Sequence, residues 1–255
     1  MKIQYLFVLL TFIANISVCQ ADLLLDTQDF SPYSYLKYGM VDGPASAVIS
    51  QVCAEMQIKC KLRMQSWTRA QYNVREGISH GLFILAKNKD REKWLYFSKP
   101  LFKAEYGVFV RKDNPMTFKN PEQLKGYMIG VYGPSNTSKQ LTLMQQKVPE
   151  IVIDQRPNDE AGFRKLIHGR DDAVFSNKDV GFMIIKEMNF KGIRYAGTYK
   201  STDYYVGFSK KHTDYETVKQ FNAAYLKLYK QGTINYILKT FDMKPASLDE
   251  SELKE

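Results

Sequence analysis

The chain is poor in the residues that build metal and redox sites. It holds three cysteines, three histidines and two tryptophans among 255 residues. His80, His168 and His212 stand far apart and form no recognisable ligand spacing with the cysteines, so we expect no metal and no cofactor. A nucleophile elbow and a phosphate-binding glycine loop are missing too. These gaps argue against the enzyme classes that depend on such sites.

A long apolar run is also missing. The most apolar stretch, 6–16, is shorter than the roughly 20 residues that a membrane span needs. It follows the positive charge of Lys2 and precedes Cys-Gln-Ala at 19–21, with small residues at the two positions that a signal peptidase reads. We therefore expect residues 1–21 to be a cleaved signal peptide and the mature protein to be periplasmic. The alternatives are a membrane anchor and a lipoprotein with Cys19 lipidated.

Basic residues exceed acidic ones, but they are not concentrated. The chain carries 36 Lys and Arg against 27 Asp and Glu, a net charge of +9. No dense basic run with interleaved aromatic residues occurs, so we expect no binding to nucleic acid and interpret the charge as a solubilising surface.

Two cysteines remain after signal-peptide cleavage. Cys53 and Cys60 form an even pair in an oxidising compartment, which favours a disulfide between a helix end and a strand start. The alternative is two buried free thiols.

Short apolar runs alternate with amphipathic stretches along both halves of the chain. The runs predict strands at 23–26, 59–64, 81–86, 106–111, 128–131, 151–153, 172–175, 193–196 and 204–208. The pattern favours an α/β fold with mostly parallel sheets and two lobes. We expect lobe 1 at 22–110 and 206–255, lobe 2 at 111–205, and crossovers near 109–113 and 203–208. Ligands would then bind at the carboxyl ends of strands, between the lobes.

Four motifs, in order, resemble those of one protein family. They are Phe30-Ser31-Pro32-Tyr33-Ser34-Tyr35, Asn88-Lys89-Asp90-Arg91-Glu92 with Tyr96-Phe97-Ser98-Lys99-Pro100, Gly130-Val131-Tyr132-Gly133 with Ser135 and Thr137, and Gly169-Arg170-Asp171-Asp172-Ala173-Val174. Nearly the whole mature chain thus resembles the extracytoplasmic solute-binding proteins of family 3, the polar amino-acid type. The resemblance implies a two-lobed, type II periplasmic binding fold with two crossover strands as a hinge. It also implies a monomer that captures a small carboxylate-bearing ligand for an inner-membrane ABC permease. Cys53 and Cys60 are placed like the short disulfide of some members.

The resemblance also implies a ligand site. Arg91 stands where the family's arginine binds the ligand carboxylate, and a guanidinium is a planar, permanently charged fork of donors. Phe30, Tyr33 and Trp67 would form an apolar wall, although core packing explains Tyr33 equally well.

A second group of candidates lies in lobe 2. Ser135, Asn136 and Thr137 stand at an expected helix start, where they would either bind an anion or cap the helix.

Several positions depart from the family pattern. Asn177 stands where amino-acid binders place an aspartate for the ligand ammonium, and Asn88 replaces the threonine before the arginine. Thr27 and His80 replace aspartates of other members. Asn88 and Asn177 stay in the predicted ligand set. Because these changes remove negative charge, we expect a neutral or anionic ligand rather than lysine, arginine or histidine.

Two other functions remain as alternatives. One is catalysis as in cyclohexadienyl dehydratase, which shares the fold; the acid or base candidates are His80, Glu105 and Asp179. The other is ligand sensing without transport.

Overall fold

The computed structural model describes residues 22–253, and the expected signal peptide lies outside the described residues. The strands are β1 (Leu23–Thr27), β2 (Tyr35–Lys37), β3 (Met40–Asp42), β4 (Cys60–Met64), β5 (Gly81–Ala86), β6 (Leu95–Phe97), β7 (Phe102–Arg111), β8 (Met128–Tyr132), β9 (Val152–Arg156), β10 (Ala173–Asn177) and β11 (Ile193–Ser209). The α-helices are α1 (Pro44–Glu55), α2 (Trp67–Arg75), α3 (Lys89–Glu92), α4 (Asn136–Lys147), α5 (Asp159–Ile167), α6 (Lys178–Glu187), α7 (Tyr215–Lys230) and α8 (Thr233–Lys239), and a 3-10 turn covers Pro121–Leu124. Within 22–253, no helix has the length and apolarity to cross a bilayer.

One large sheet connects the two halves of the chain. Its strand order is β4-β1-β5-β11-β7-β10-β8-β9, with β6 added to β11. β1 runs parallel to β4 and β5 at one end, and β8 runs parallel to β9 and β10 at the other. The expectation of mostly parallel sheets is wrong, because β7 and β11 cross the centre in opposite directions and form antiparallel pairs with each other and with their neighbours.

The strand β11 is longer than the sequence pattern indicates. Two strands were expected, at 193–196 and 204–208, but the chain is extended throughout Ile193–Ser209. It pairs with β7 from Ile193 opposite Arg111 to Tyr204 opposite Phe102, and two register shifts absorb the irregular middle. Pairing along β7 therefore imposes the strand on a polar segment that shows no alternation of its own.

The two long strands pair with a different group of strands at each end. β7 pairs with β10 from Tyr106 to Val110, and β11 pairs with β5 from Tyr204 to Phe208. The lobe boundaries at 110/111 and 205/206 stay a prediction.

Helix α1 begins with Pro44, which needs no hydrogen-bond acceptor for its nitrogen at that position. Its buried face includes Val48, Ile49 and Val52. Cys53 near its end forms a disulfide with Cys60 of β4, with the Cα atoms 6.0 Å apart. The predicted disulfide is thereby confirmed, and it ties α1 to the edge of the sheet.

Candidate functional site

Arg91 is a buried cation in the short helix α3. Asn88 begins this helix, and its side-chain oxygen accepts a hydrogen bond from the Arg91 backbone N–H. The Arg91 side chain turns inward, so that the residue is only 8% exposed. Its Nη1 donates to the Ala86 carbonyl at 2.6 Å, and its guanidinium carbon lies 5.2 Å from the centre of the Trp67 ring.

No carboxylate within residues 22–253 forms an ion pair with Arg91, and its Nε and Nη2 donate no hydrogen bond to that part of the chain. Burial lowers the pKa of the Arg91 guanidinium, while Tyr106 and Tyr204 act in the opposite direction. A guanidinium stays protonated in proteins, so burial leaves a desolvated charge. A ligand carboxylate would offset that desolvation with charge-assisted hydrogen bonds.

Aromatic and polar side chains surround this cation. A cleft opens in front of Arg91. It is lined by Gln28, Phe30, Trp67, Ile84, Leu85, Ala86, Arg91, Tyr106, Tyr132, Ser135, Asn136, Thr137 and Tyr204. The structure thus brings six of the nine predicted ligand residues to one cleft: Arg91, Phe30, Trp67, Ser135, Asn136 and Thr137.

The first turn of α4 forms the opposite wall of the cleft. Ser135 caps this helix by accepting from the Ser138 backbone N–H, and its hydroxyl lies 2.6 Å from that of Thr137. Asn136 accepts a hydrogen bond of 3.1 Å from the Asn88 side chain. Ser135 therefore caps α4 and also lines the cleft. Asn88 does not line the cleft itself, but it bonds the lining residue Asn136.

Tyr33 lies behind the aromatic wall. It is 1% exposed, stacks on Phe30 and meets Phe102 and Tyr204 edge-on. Its hydroxyl donates to Asp179 at 2.5 Å. Burial, and then the Asp179 charge, raise the pKa of this phenol. Tyr33 therefore packs in the core and does not line the space around Arg91.

Asn177 is committed to local contacts. Its oxygen accepts from the backbone N–H groups of Asp179 and Val180 and so caps α6. Its amide nitrogen donates to the Tyr204 hydroxyl at 2.9 Å. Asn177 is 1% exposed and does not line the cleft.

The sequence reasoning missed four polar lining residues, and two of them carried a usable signal. Gln28 follows β1 directly and Tyr132 ends β8, so both lie at carboxyl ends of parallel strands, where ligands are expected. Tyr106 and Tyr204 lie within the crossing strands β7 and β11, for which that rule gives no guidance.

The three acid or base candidates lie apart from one another. His80 accepts a hydrogen bond from the Leu24 backbone N–H, and burial lowers its pKa. Glu105 accepts from Thr198 and Lys178, and Asp179 accepts from Tyr33. The structure does not bring them together in the cleft around Arg91.

Solved structures with the same architecture support a two-lobed fold. A histidine kinase sensor domain with similarity to periplasmic binding proteins aligns with a TM-score of 0.78 at 17% identity, covering 86% of this chain and 95% of its own. An ancestral arginine-binding protein bound to arginine gives 0.77 at 21% identity, with 87% and 98% covered. The arginine-, lysine-, histidine-binding protein ArtJ from Geobacillus stearothermophilus gives 0.76 at 20% identity, with 88% and 97% covered. These likenesses confirm the predicted type II periplasmic binding fold.

A search of curated protein sequences gave no match. The sequence profile of the bacterial extracellular solute-binding proteins, family 3, matches residues 25–243, which is most of the chain. The family assigned from the four motifs is therefore confirmed. The chain belongs to family 3 of the bacterial extracellular solute-binding proteins.

Proposed function

We propose that this chain is a periplasmic binding protein that captures a small carboxylate-bearing ligand, an amino acid or a close relative, and delivers it to an ABC permease. The observation that carries the proposal is Arg91, a buried guanidinium with no acidic partner within residues 22–253 that faces a cleft lined from both halves of the chain. A carboxylate of the ligand pairs with the Nε and Nη2 donors of Arg91. Trp67 stacks on the guanidinium and holds it in place.

Hydrogen bonds across the cleft support a closing motion as part of this function. Asn88 bonds Asn136, and Tyr132 donates to Gln28 at 3.0 Å. Lys139 of α4 forms an ion pair of 2.6 Å with Asp90. Such contacts form only when the two walls approach, and a bound ligand strengthens the closed state by contacting both.

Isothermal titration against the standard amino acids and amine-free organic acids tests the proposal. Arg91→Ala is expected to weaken the tightest ligand about 100-fold or more, since it removes a desolvated charge partner. Arg91→Lys keeps the charge but not the planar fork, so it should recover only part of the affinity. Arg170→Ala, at an exposed arginine outside the cleft lining, is the matched control and should bind like the wild type.

Circular dichroism of each variant separates lost binding from lost folding. Asn136→Ala, on the opposite wall, gives a second binding variant that leaves the arginine in place. Unchanged affinity in a folded Arg91→Ala protein would refute the carboxylate role.

Ligand sensing is a second candidate, since the same architecture occurs in a histidine kinase sensor domain. Uptake of the radiolabelled ligand by cells with and without the gene separates the two. Loss of uptake on deletion supports transport, and unchanged uptake with an altered transcriptional response supports sensing.

A further inference from the structure

The cleft does not end at the space around Arg91. A second space adjoins it, and both are lined by Gln28, Phe30, Trp67 and Tyr132. The rings of Trp67 and Tyr132 therefore form a shared wall, along which one small ligand reaches both spaces.

The two spaces carry opposite charge. Arg91 is the charged residue among the described residues that line the first space. The second space is lined by four carboxylates and, within residues 22–253, by no lysine or arginine; these acids are Asp29, Asp159, Glu160 and Glu187. The cleft is thus positive around Arg91 and negative in the adjoining space, which suits a dipolar ligand.

Asp159 is the acid of the second space whose charge acts on Tyr132 of the shared wall. It is the first residue of α5, whose preceding residue Asn158 caps the helix, and its carboxylate accepts a hydrogen bond from the Ser176 hydroxyl. Burial raises the pKa of Asp159 to about 6, and the Ser176 hydrogen bond acts against that rise. Among the other three acids, Glu160 already pairs with Arg164 of its own helix.

Asp159 acts on the same phenols that surround Arg91. Burial raises the pKa of Tyr132 to about 12, with the Asp159 charge as a second cause. Burial also raises the pKa of Tyr106, which the Arg91 charge lowers and the Asp159 charge raises. The Arg91 and Asp159 charges thus both act on the buried hydroxyl of Tyr106, which agrees with the adjoining of the two spaces along Trp67 and Tyr132.

We propose that Asp159 binds a cationic nitrogen of the ligand whose carboxylate Arg91 holds. The ligand class is then any compound with both groups: a neutral or basic α-amino acid, or an ω-amino acid. At position 177, where the family pattern has an acid for this purpose, Asn177 caps α6 with its oxygen. Asp159 supplies the missing acceptor from a different helix. The inference rests on the proposed function and excludes an amine-free anion.

Matched probes separate this inference from the proposed function. Isothermal titration at about pH 7.5 uses L-glutamine, L-lysine and γ-aminobutyrate as amine-bearing probes, and succinate and 2-oxoglutarate as amine-free ones. Asp159→Asn should weaken the tightest amine-bearing ligand about tenfold or more, whereas any weak binding of the amine-free acids should stay the same or become tighter, because a like charge is removed. The control is Asp203→Asn, at a second partly buried aspartate whose pKa burial raises but which does not line either space; it should bind like the wild type.

The pH dependence gives a second readout. At about pH 5, Asp159 of the free protein is mostly protonated, so wild-type affinity for the amine-bearing probe should fall below that at about pH 7.5. Asp159→Asn lacks this group and should show a flatter profile. The other titratable groups around this space are Asp29, Glu160, Glu187, Tyr106 and Tyr132, and all of them remain in the variant.

The outcomes are distinct. If an amine-free acid binds best and Arg91→Ala abolishes its binding, the proposed function stands and the role of Asp159 is overturned. Unchanged affinity and an unchanged pH profile in Asp159→Asn overturn that role as well. If the wild type binds none of the probes and none of the standard amino acids, both proposals fail.

Discussion

Two buried charges in the first half of the chain, Asp26 and Arg91, have opposite surroundings. Asp26 at the end of β1 is fully buried and accepts two hydrogen bonds from Arg63, at 2.8 and 3.1 Å. Asn73 and Ser79 each donate another at 2.7 Å. Arg91 is nearly as buried, but within residues 22–253 its side chain donates one hydrogen bond, to a backbone carbonyl.

The difference indicates what each charge is for. The chain itself satisfies the Asp26 carboxylate, so its burial joins β1, β4 and α2. The chain leaves two Arg91 nitrogens without an acceptor within residues 22–253, and these are the donors that a ligand would use. The proposed binding role of Arg91 therefore rests on its unsatisfied hydrogen-bonding capacity more than on its burial.

The largest expected effect comes from breaking the satisfied charge. Asp26→Asn leaves Arg63 without its ionic partner and removes an acceptor from Asn73 and Ser79. We expect the free energy of unfolding to fall by about 3 kcal/mol, as measured by guanidinium denaturation followed by circular dichroism. Ligand affinity of the folded fraction should not change.

Asp22→Asn is the matched control for that variant. It breaks an exposed ion pair between Asp22 and Lys61 beside the same strands, and should cost less than about 1 kcal/mol. A stability loss as small in Asp26→Asn would contradict the structural role of Asp26.

Asp159 is an intermediate case, because one hydroxyl satisfies it in part. Its pKa rises from 3.8 to about 6 in the folded protein, so between these values the native state binds more protons than the unfolded chain. The contribution of Asp159 to wild-type stability should therefore be greatest below this window and decline as pH rises through it. Because the side chain keeps some exposure, we expect a decline of about 1 kcal/mol relative to Asp159→Asn. Denaturation of both proteins across this pH range measures it, and identical pH profiles would contradict the raised pKa.

The fold was predictable where local pattern and tertiary structure agree. The strand Gly81–Ala86 is a continuous apolar run, and it is buried along its whole length. The middle of β11 is polar, and it is extended because it pairs with β7. No local sequence pattern predicts this part of the strand. The strands of the β2–β3 hairpin are too short to show a period in the sequence.

The site residues were likewise predictable mainly where they belong to sequence motifs. Arg91, Phe30 and Ser135 belong to motifs, and the structure brings all three to one cleft. Asp159 stands outside those motifs, and only the approach of α5 to Trp67 and Tyr132 gives it a role. The expectation of a cleft with little negative charge rested only on positions that correspond to those of the family pattern. Such positions do not reveal an acid that another helix contributes.

The smallest effect should come from removing the unsatisfied charge. Arg91→Met deletes a buried guanidinium and one hydrogen bond to the Ala86 carbonyl, and it fills most of the volume with an apolar chain. The lost hydrogen bond costs stability, while removal of a desolvated charge restores it, so we expect the free energy of unfolding to stay within about 1 kcal/mol of the wild type without ligand. Saturating ligand should then raise the melting temperature of the wild type but not that of the variant, because ligand binding stabilises only a protein that binds it. A loss as large as that of Asp26→Asn, without ligand, would mean that Arg91 serves the fold as Asp26 does, and the contrast between the two charges would disappear.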